Sequence, residues 1–263
     1  MQRHAEELKQ LIRYLSEESG ERIPADLDAL DSQQLWNTFR GLVNVRMPRR
    51  ASSGFYAMQD ALLQAIIQED GVTDAATLPR TALDQRLSVW QGDITRLRAD
   101  AIVNAANSQM LGCWAKCHSC IDNVIHTYAG VQLREECDRI MRAQGENEPT
   151  GHAKVTGAYN LPSKHVIHTV GPIAQGHPTA RHRLQLAQCY TSCLDAAAAT
   201  GCESIAFCGI STGVYGFPAE QAAPIAVDTV RDWLDRHPDV PMHVVFNVFG
   251  NRQLSIYQDI LCM

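Results

Sequence analysis

Three thiols and an imidazole fall within eight positions of this chain, in the run Gly112-Cys113-Trp114-Ala115-Lys116-Cys117-His118-Ser119-Cys120-Ile121-Asp122-Asn123. Cys and His at such short spacing suit zinc. Two arrangements stay open at this level. All four side chains can close a structural site, or three can bind and leave a fourth position free, as in catalytic zinc centres. Cys117 and His118 are adjacent in sequence, and neighbouring side chains usually diverge, so one metal rarely takes both. Asp122 follows two positions after Cys120. It can cap the next helix, support a ligand, or act as a general base. His126, one turn further, and His168, in a strand-like run, are expected to be packed histidines.

Other segments carry chemistry of a different kind. Gly92-Asp93-Ile94-Thr95 follows a strand-like run, and an Asp there can accept from an adenine amino group or simply cap a turn. Asn104 and Asn107 close the run Ala101–Asn107, where amides can hold ribose hydroxyls or form turns. Gly209-Ile210-Ser211-Thr212-Gly213-Val214-Tyr215-Gly216-Phe217 also follows a strand-like run. Its glycines let backbone N–H groups approach an anion, which fits a diphosphate cradle. The loop matches neither G-x-G-x-x-G nor the Walker pattern, so nothing here supports hydride transfer or lysine-assisted nucleotide cleavage.

These loops need elements to position them. Residues 1–84 read as an α-helical extension. Leu8, Leu11, Ile12 and Leu15 share one helical face; a second helix is expected from Pro24, with Leu27, Leu30 and Leu35 inward; Phe55, Met58, Leu62, Leu63, Ile66 and Ile67 mark a third. These faces are expected to pack against the rest of the chain without carrying catalysis, with a connector over 74–84. From residue 85 the texture alternates. Strands are expected at 86–91, 99–104, 153–160, 165–170, 204–209 and 242–248, and helices at 121–142, 181–200, 218–235 and 252–260. That order implies an α/β fold with a mixed, mostly parallel sheet covered on both faces, whose ligands bind at the carboxyl ends of the strands.

Composition narrows the class. The chain has 263 residues, a net charge of −6 and no Lys/Arg block of five or more, so a nucleic-acid partner is not expected. No apolar stretch is long enough to span a membrane. The charged, helix-like N-terminus lacks the apolar core of a signal peptide. Nine cysteines, an odd number with three in one loop, point to reduced thiols and a cytoplasmic location rather than a disulfide framework.

Taken in order, several blocks resemble the macrodomain family. They are Gln91-Gly92-Asp93-Ile94-Thr95, Ala101-Ile102-Val103-Asn104-Ala105-Ala106-Asn107, Ile121-Asp122-Asn123-Val124-Ile125-His126 with Ala129-Gly130, Thr156-Gly157-Ala158-Tyr159-Asn160-Leu161-Pro162, His165-Val166-Ile167-His168-Thr169-Val170-Gly171-Pro172 and Ser211-Thr212-Gly213-Val214-Tyr215-Gly216-Phe217-Pro218. The resemblance implies a three-layer α/β/α sandwich over 85–263. Most hydrolytic macrodomains carry a glycine run just before the Asp; here the Cys/His loop replaces it, which resembles the zinc-dependent branch with its helical N-terminal extension.

That branch implies zinc-dependent removal of mono-ADP-ribose from modified proteins, in some bacteria a lipoyl-carrier protein. It implies Cys113, His118 and Cys120 as ligands of Zn2+, with Cys117 a departure from the pattern. Asp122 and Asn107 become the candidate catalytic residues, with Asn107 on the distal ribose. Asp93 and Ile94 fall at the adenine, Phe249 stacks on it, and Ser211, Thr212, Gly213, Val214, Tyr215, Gly216 and Phe217 hold the diphosphate. An ADP-ribose reader with a structural zinc, or a deacetylase of O-acetyl-ADP-ribose, are the alternatives.

Overall fold

The structure, a computed structural model, describes residues 4–263. Three helices come first, α1 (Ala5–Ser19), α2 (Ser32–Val45) and α3 (Ser53–Asp70). Gly20 ends α1 in the left-handed conformation, with its N–H bonded to the Ser16 carbonyl. The second helix does not begin at Pro24. Asp31 and Gln34 form a reciprocal capping box, which satisfies two orphan donors, and α2 starts there. Leu27 and Leu35 are nevertheless buried as expected, and Leu30 partly so. The three helices share their own core, centred on Leu8, Leu11, Phe39, Leu62 and Leu63.

The rest of the chain runs β1 (Thr73–Asp74), β2 (Leu87–Gln91), β3 (Leu97–Arg98), β4 (Ala101–Ala106), α4 (Ile121–Ala129), α5 (Val131–Gln144), β5 (Ala153–Gly157), β6 (His165–Val170), α6 (Ala180–Ala199), β7 (Ser204–Phe207), α7 (Ala219–Arg236), β8 (His243–Val248) and α8 (Asn251–Leu261). Six strands form one sheet in the order β2-β8-β7-β4-β6-β5. All neighbours are parallel except β5 with β6. Every residue of β8 is buried, and β4 and β6 nearly so, as a sheet covered on both faces requires. This is the expected macrodomain-type α/β sandwich, mixed and mostly parallel.

A further sequence expectation changes. The single helix over 121–142 is two helices, broken at Gly130, whose φ is 96°. A Cβ there would lie 2.6 Å from Gln59 Nε2 and 2.9 Å from Asn160 Nδ2, so the break is also a close approach between α3 and the sheet-bearing part. Ahead of residue 84, β1 pairs with β3, and Ile67 and Ala75 sit in the larger core. A two-residue ladder has no periodicity to read.

Polar pairs seam the helical extension to the sheet-bearing part. Gln59 Oε1 accepts from the Val131 N–H at 3.1 Å, Tyr56 donates to Glu135 at 2.6 Å, and the buried Arg46 bonds both Glu18 and Glu135. The Trp36 and Tyr128 rings lie 5.5 Å apart across the same seam.

Candidate active site

Because β2, β8, β7, β4 and β6 are parallel, their carboxyl ends share one edge of the sheet. The residues singled out above leave from that edge in a fixed order: Asp93 after β2, Phe249 after β8, the Gly209–Phe217 loop after β7, and Asn107 with the Cys/His loop after β4. With strands about 4.8 Å apart, the first and last stand roughly 14 Å apart along the edge.

At the β2 end, Asp93 Oδ1 accepts from the Thr95 N–H at 2.9 Å and from Thr95 Oγ1 at 2.7 Å, capping the short 3-10 turn Ile94–Arg96. The capping alternative is thus realised at one oxygen; Oδ2 has no hydrogen-bond partner among the described residues. The Ile94 side chain is core, which restricts any ligand contact there to its backbone. Phe249 is 80% exposed, and its carbonyl accepts from Gln91 at the end of β2.

The loop after β7 is zipped to the loop after β6. Ala174 and Gln175 donate to the Tyr215 carbonyl, and Gly176 donates to that of Gly216. The N–H groups of Gly213, Val214 and Tyr215 have no protein acceptor among the described residues, and Val214 is 78% exposed. Ser211 adopts φ 64°, and its buried Oγ has no partner. Phe217 is a core residue, so of the expected contacts here its side chain is withdrawn.

At the β4 end, two amides grip one carboxylate. Asn104 Nδ2 donates to Asp122 Oδ1 at 2.8 Å, and Asn107 Nδ2 reaches Oδ2 at 3.3 Å. Asn107 also donates to the Gly112 carbonyl and accepts from the Gln109 N–H, so its amide aims Asp122 and braces the loop. Burial raises the Asp122 carboxyl to about 6, against the pull of the Asn104 hydrogen bond, the Arg134 charge and Asn107. His126 Nε2 lies 3.6 Å from Asp122 Oδ1. Burial, with Arg134 and His168 adding, holds that imidazole well below its ordinary range, so it is neutral and the contact is no ion pair.

The Cys/His loop lies over this carboxylate. Gly112, at φ 79°, brings its backbone so close to His126 that a Cβ would meet the ring at 2.9 Å. Cys113, His118 and Cys120 place one ligand atom each within 4.8 Å of one another, and all three are partly exposed. Cys113 Sγ and His118 Nδ1 are 3.6 Å apart. Cys117 diverges from His118: its thiol donates to the Asn37 carbonyl on α2 at 3.3 Å and stays outside the trio. Burial pushes the Cys120 thiol up to about 12, with the nearby Cys113 adding to the rise against a backbone hydrogen bond from Asn123; a bound cation would invert that preference.

The sequence reading missed Arg134, and nothing in its spacing signals it. From α5 its Nε donates to the Leu111 carbonyl at 2.6 Å, while Nη1 bonds the Val43 and Arg46 carbonyls at the end of α2. The guanidinium lies 4.3 Å from the Trp114 ring centroid, a cation–π contact. Burial lowers Arg134 to about 10, offset in part by Asp122, so it stays charged at neutral pH.

Residues 103–226 match the family described as the Macro domain. A protein of Treponema medium named protein-ADP-ribose hydrolase is 51% identical over 95% of this chain and 96% of its own length. One of the same name from Staphylococcus aureus (strain MRSA252) is 48% identical over 86% of this chain and 85% of its own. The Trypanosoma brucei macrodomain solved in complex with ADP-ribose is 29% identical, with a TM-score of 0.64, over 84% of this chain and 94% of that one. On its fold, on the blocks that line the sheet edge, and on identity along nearly its whole length, this chain belongs to the macrodomain family.

Proposed function

We propose that this chain is a zinc-dependent hydrolase that releases mono-ADP-ribose from modified proteins. One observation carries the reading: Cys113, His118 and Cys120 converge in the loop that runs directly into Asp122. Ligands at zinc–sulfur and zinc–nitrogen distances of about 2.3 and 2.05 Å, set at a tetrahedral angle, stand about 3.6 Å apart. Cys113 Sγ and His118 Nδ1 have that separation. The donor set therefore fits zinc, and with Cys117 turned to α2 it is a three-residue set with an open position.

The order of residues along the sheet edge matches the order of groups in ADP-ribose. Asp93 Oδ2 takes the adenine amino group and Phe249 covers the ring. The free N–H groups of the Gly213–Tyr215 stretch and the orphan Ser211 Oγ–H donate to the diphosphate oxygens. The distal ribose then falls at Asn107, Asp122 and the Cys/His loop. A zinc ion held by Cys113, His118 and Cys120 would supply Lewis-acid polarisation.

The chain's own residues set up the proton transfer. Asn104 and Asn107 hold the two Asp122 oxygens, and a carboxyl near 6 is mostly ionised at neutral pH while remaining a better base than an ordinary aspartate. Asp122 takes a proton from water or a ribose hydroxyl. Neutral His126 fills the space beside it without adding charge.

A reader with a closed structural zinc would need Cys117 as a fourth ligand, which its orientation does not favour. The reduced thiols this site needs make the cytoplasm the proposed location. The test is release of ADP-ribose from Asp-, Glu- and Ser-linked conjugates, with a modified lipoyl-carrier protein and O-acetyl-ADP-ribose as further arms, each with and without chelator. Release from protein that chelator stops is the expected result. Turnover unaffected by complete zinc removal sinks the metal part of the reading, and binding of ADP-ribose without release of any conjugate favours the reader.

A further inference from the structure

The helical extension, expected only to pack, touches the Cys/His loop at several backbone points. Arg40 on α2 sends Nη2 to the His118 carbonyl at 2.6 Å and to Asn123 Oδ1 at 2.9 Å. Asn123 is wholly buried, and its own Nδ2 donates back to the Ala115 carbonyl at 2.9 Å. Arg40 and Asn123 thus hold the loop from both sides of Cys117. That residue has φ 54°, a left-handed conformation unfavourable for a side chain with a Cβ. It is pinned there by Asn44, also on α2: the buried Asn44 Oδ1 accepts from the Cys117 N–H at 2.8 Å, while its Nδ2 donates to Thr127 at 3.0 Å. The turn that points His118 toward Cys113 and Cys120, and Cys117 away from them, is therefore held by side chains from about 70 to 80 residues earlier in the chain.

We propose that α2 is the outer support of the metal-binding loop, with Arg40 and Asn44 as positioning residues that set the loop backbone for zinc. This rests on the metal reading given above and adds to it a part of the chain with no metal-ligand cluster of its own. Without Arg40, the His118 carbonyl and Asn123 lose their shared donor, and the loop gains conformations in which the three ligands no longer converge. A bound metal must then order the loop before coordinating, and affinity falls. Outer groups that orient metal ligands typically contribute about 10–100-fold in affinity.

The experiment uses the full chain and a chromophoric zinc chelator in competition, comparing wild type with Arg40→Ala, Arg40→Lys, Asn44→Ala and Gln59→Ala. Gln59 lies in the seam on α3 and bonds Val131 and Gln132, not the loop. Each variant is also melted with and without zinc. Arg40→Ala and Asn44→Ala are expected to release zinc about 10–100-fold more readily, with Arg40→Lys recovering part of the loss. Gln59→Ala is expected to lower the melting temperature and keep the wild-type zinc affinity. Wild-type affinity in both Arg40→Ala and Asn44→Ala overturns the support role and leaves the metal site standing. So does a loss of affinity in Gln59→Ala as large as theirs, since general loosening of the extension would then be the cause. A wild-type chain that takes up no zinc overturns the metal reading itself, and the support role with it.

Discussion

Two trios of Cys and His side chains lie near Asp122, and they differ in origin and in exposure. Cys113, His118 and Cys120 come from one loop and are partly exposed. His126, Cys137 and His168 come from α4, α5 and β6, are wholly buried, and also bring their ligand atoms within 4.8 Å. In the buried trio His168 is already occupied, with Nδ1 beside Asn104 at 3.1 Å and Nε2 beside Thr156 at 3.0 Å. Burial holds the His168 imidazole down to about 3 and pushes the Cys137 thiol up, so both are neutral. The buried trio is packing: it fills the space under Asn104, which in turn holds Asp122. The loop trio is partly exposed and so has the path to solvent that a metal site requires. Convergence of Cys and His is thus not enough; what separates the trios is access to solvent.

Substitution tests this contrast directly. The largest effect is expected at the loop. Cys120→Ala should lose zinc and abolish release of ADP-ribose while the circular dichroism spectrum stays folded. A zinc-free, folded variant with wild-type turnover would erase the distinction between the trios. Next in size is Asp122→Ala, which should keep zinc by elemental analysis and lower turnover by about 10²–10⁴, the range of general acid–base help. Zinc loss in that variant would show that the carboxylate supports the metal instead.

The buried trio makes its own prediction through pH. The unfolded chain protonates His168 near its ordinary value, while the folded chain does not until about 3. Between roughly 6.5 and 3 the unfolded state therefore binds the extra proton, and stability falls as pH falls, by up to about 1.4 kcal/mol per pH unit for one such group. Above that window the group makes no pH-dependent contribution. Urea unfolding across the window should show a shallower dependence in His168→Gln than in wild type, because one neutral imidazole has been removed. Equal slopes would mean that His168 is not held neutral.

Two smaller effects refine the picture. Asp93→Ala should weaken ADP-ribose binding by about 1.5–3 kcal/mol, the range for a hydrogen bond to a charged group, with zinc content unchanged. Calorimetry showing wild-type affinity would leave Asp93 as a turn cap alone. Cys137→Ala should cost only about 1 kcal/mol of stability, as expected for deleting one buried heavy atom, and leave zinc untouched. A fall in zinc content there would make the buried trio the metal site.

Much of the fold was legible because its signals are local. The leucine faces of α1 and α3, the apolar runs of β4, β6 and β8, and the glycines of the loop after β7 all follow from short-range periodicity or turn chemistry. What failed locally was decided elsewhere. Gly130 breaks a helical pattern because α3 and Asn160 press against it, and β1 exists only because Leu97 and Arg98 lie beside it. Pro24 suggested a helix start that the Asp31–Gln34 capping box overrode.

By itself the sequence determined the chemical inventory: an α/β chain, three thiols and an imidazole in one loop just before a carboxylate, and a glycine loop after a strand. Only the tertiary structure decided how that inventory is used. It set Cys117 against Asn37 and away from His118, turned Asn107 onto Asp122, and buried Ile94 and Phe217 in the core. It also brought Arg40, Asn44 and Arg134 to the backbone of a loop far from each in sequence. Residue type and spacing state which atoms can bind or transfer a proton. Which lone pairs remain free depends on hydrogen bonds between distant segments, and those form only when the helices and sheet have packed.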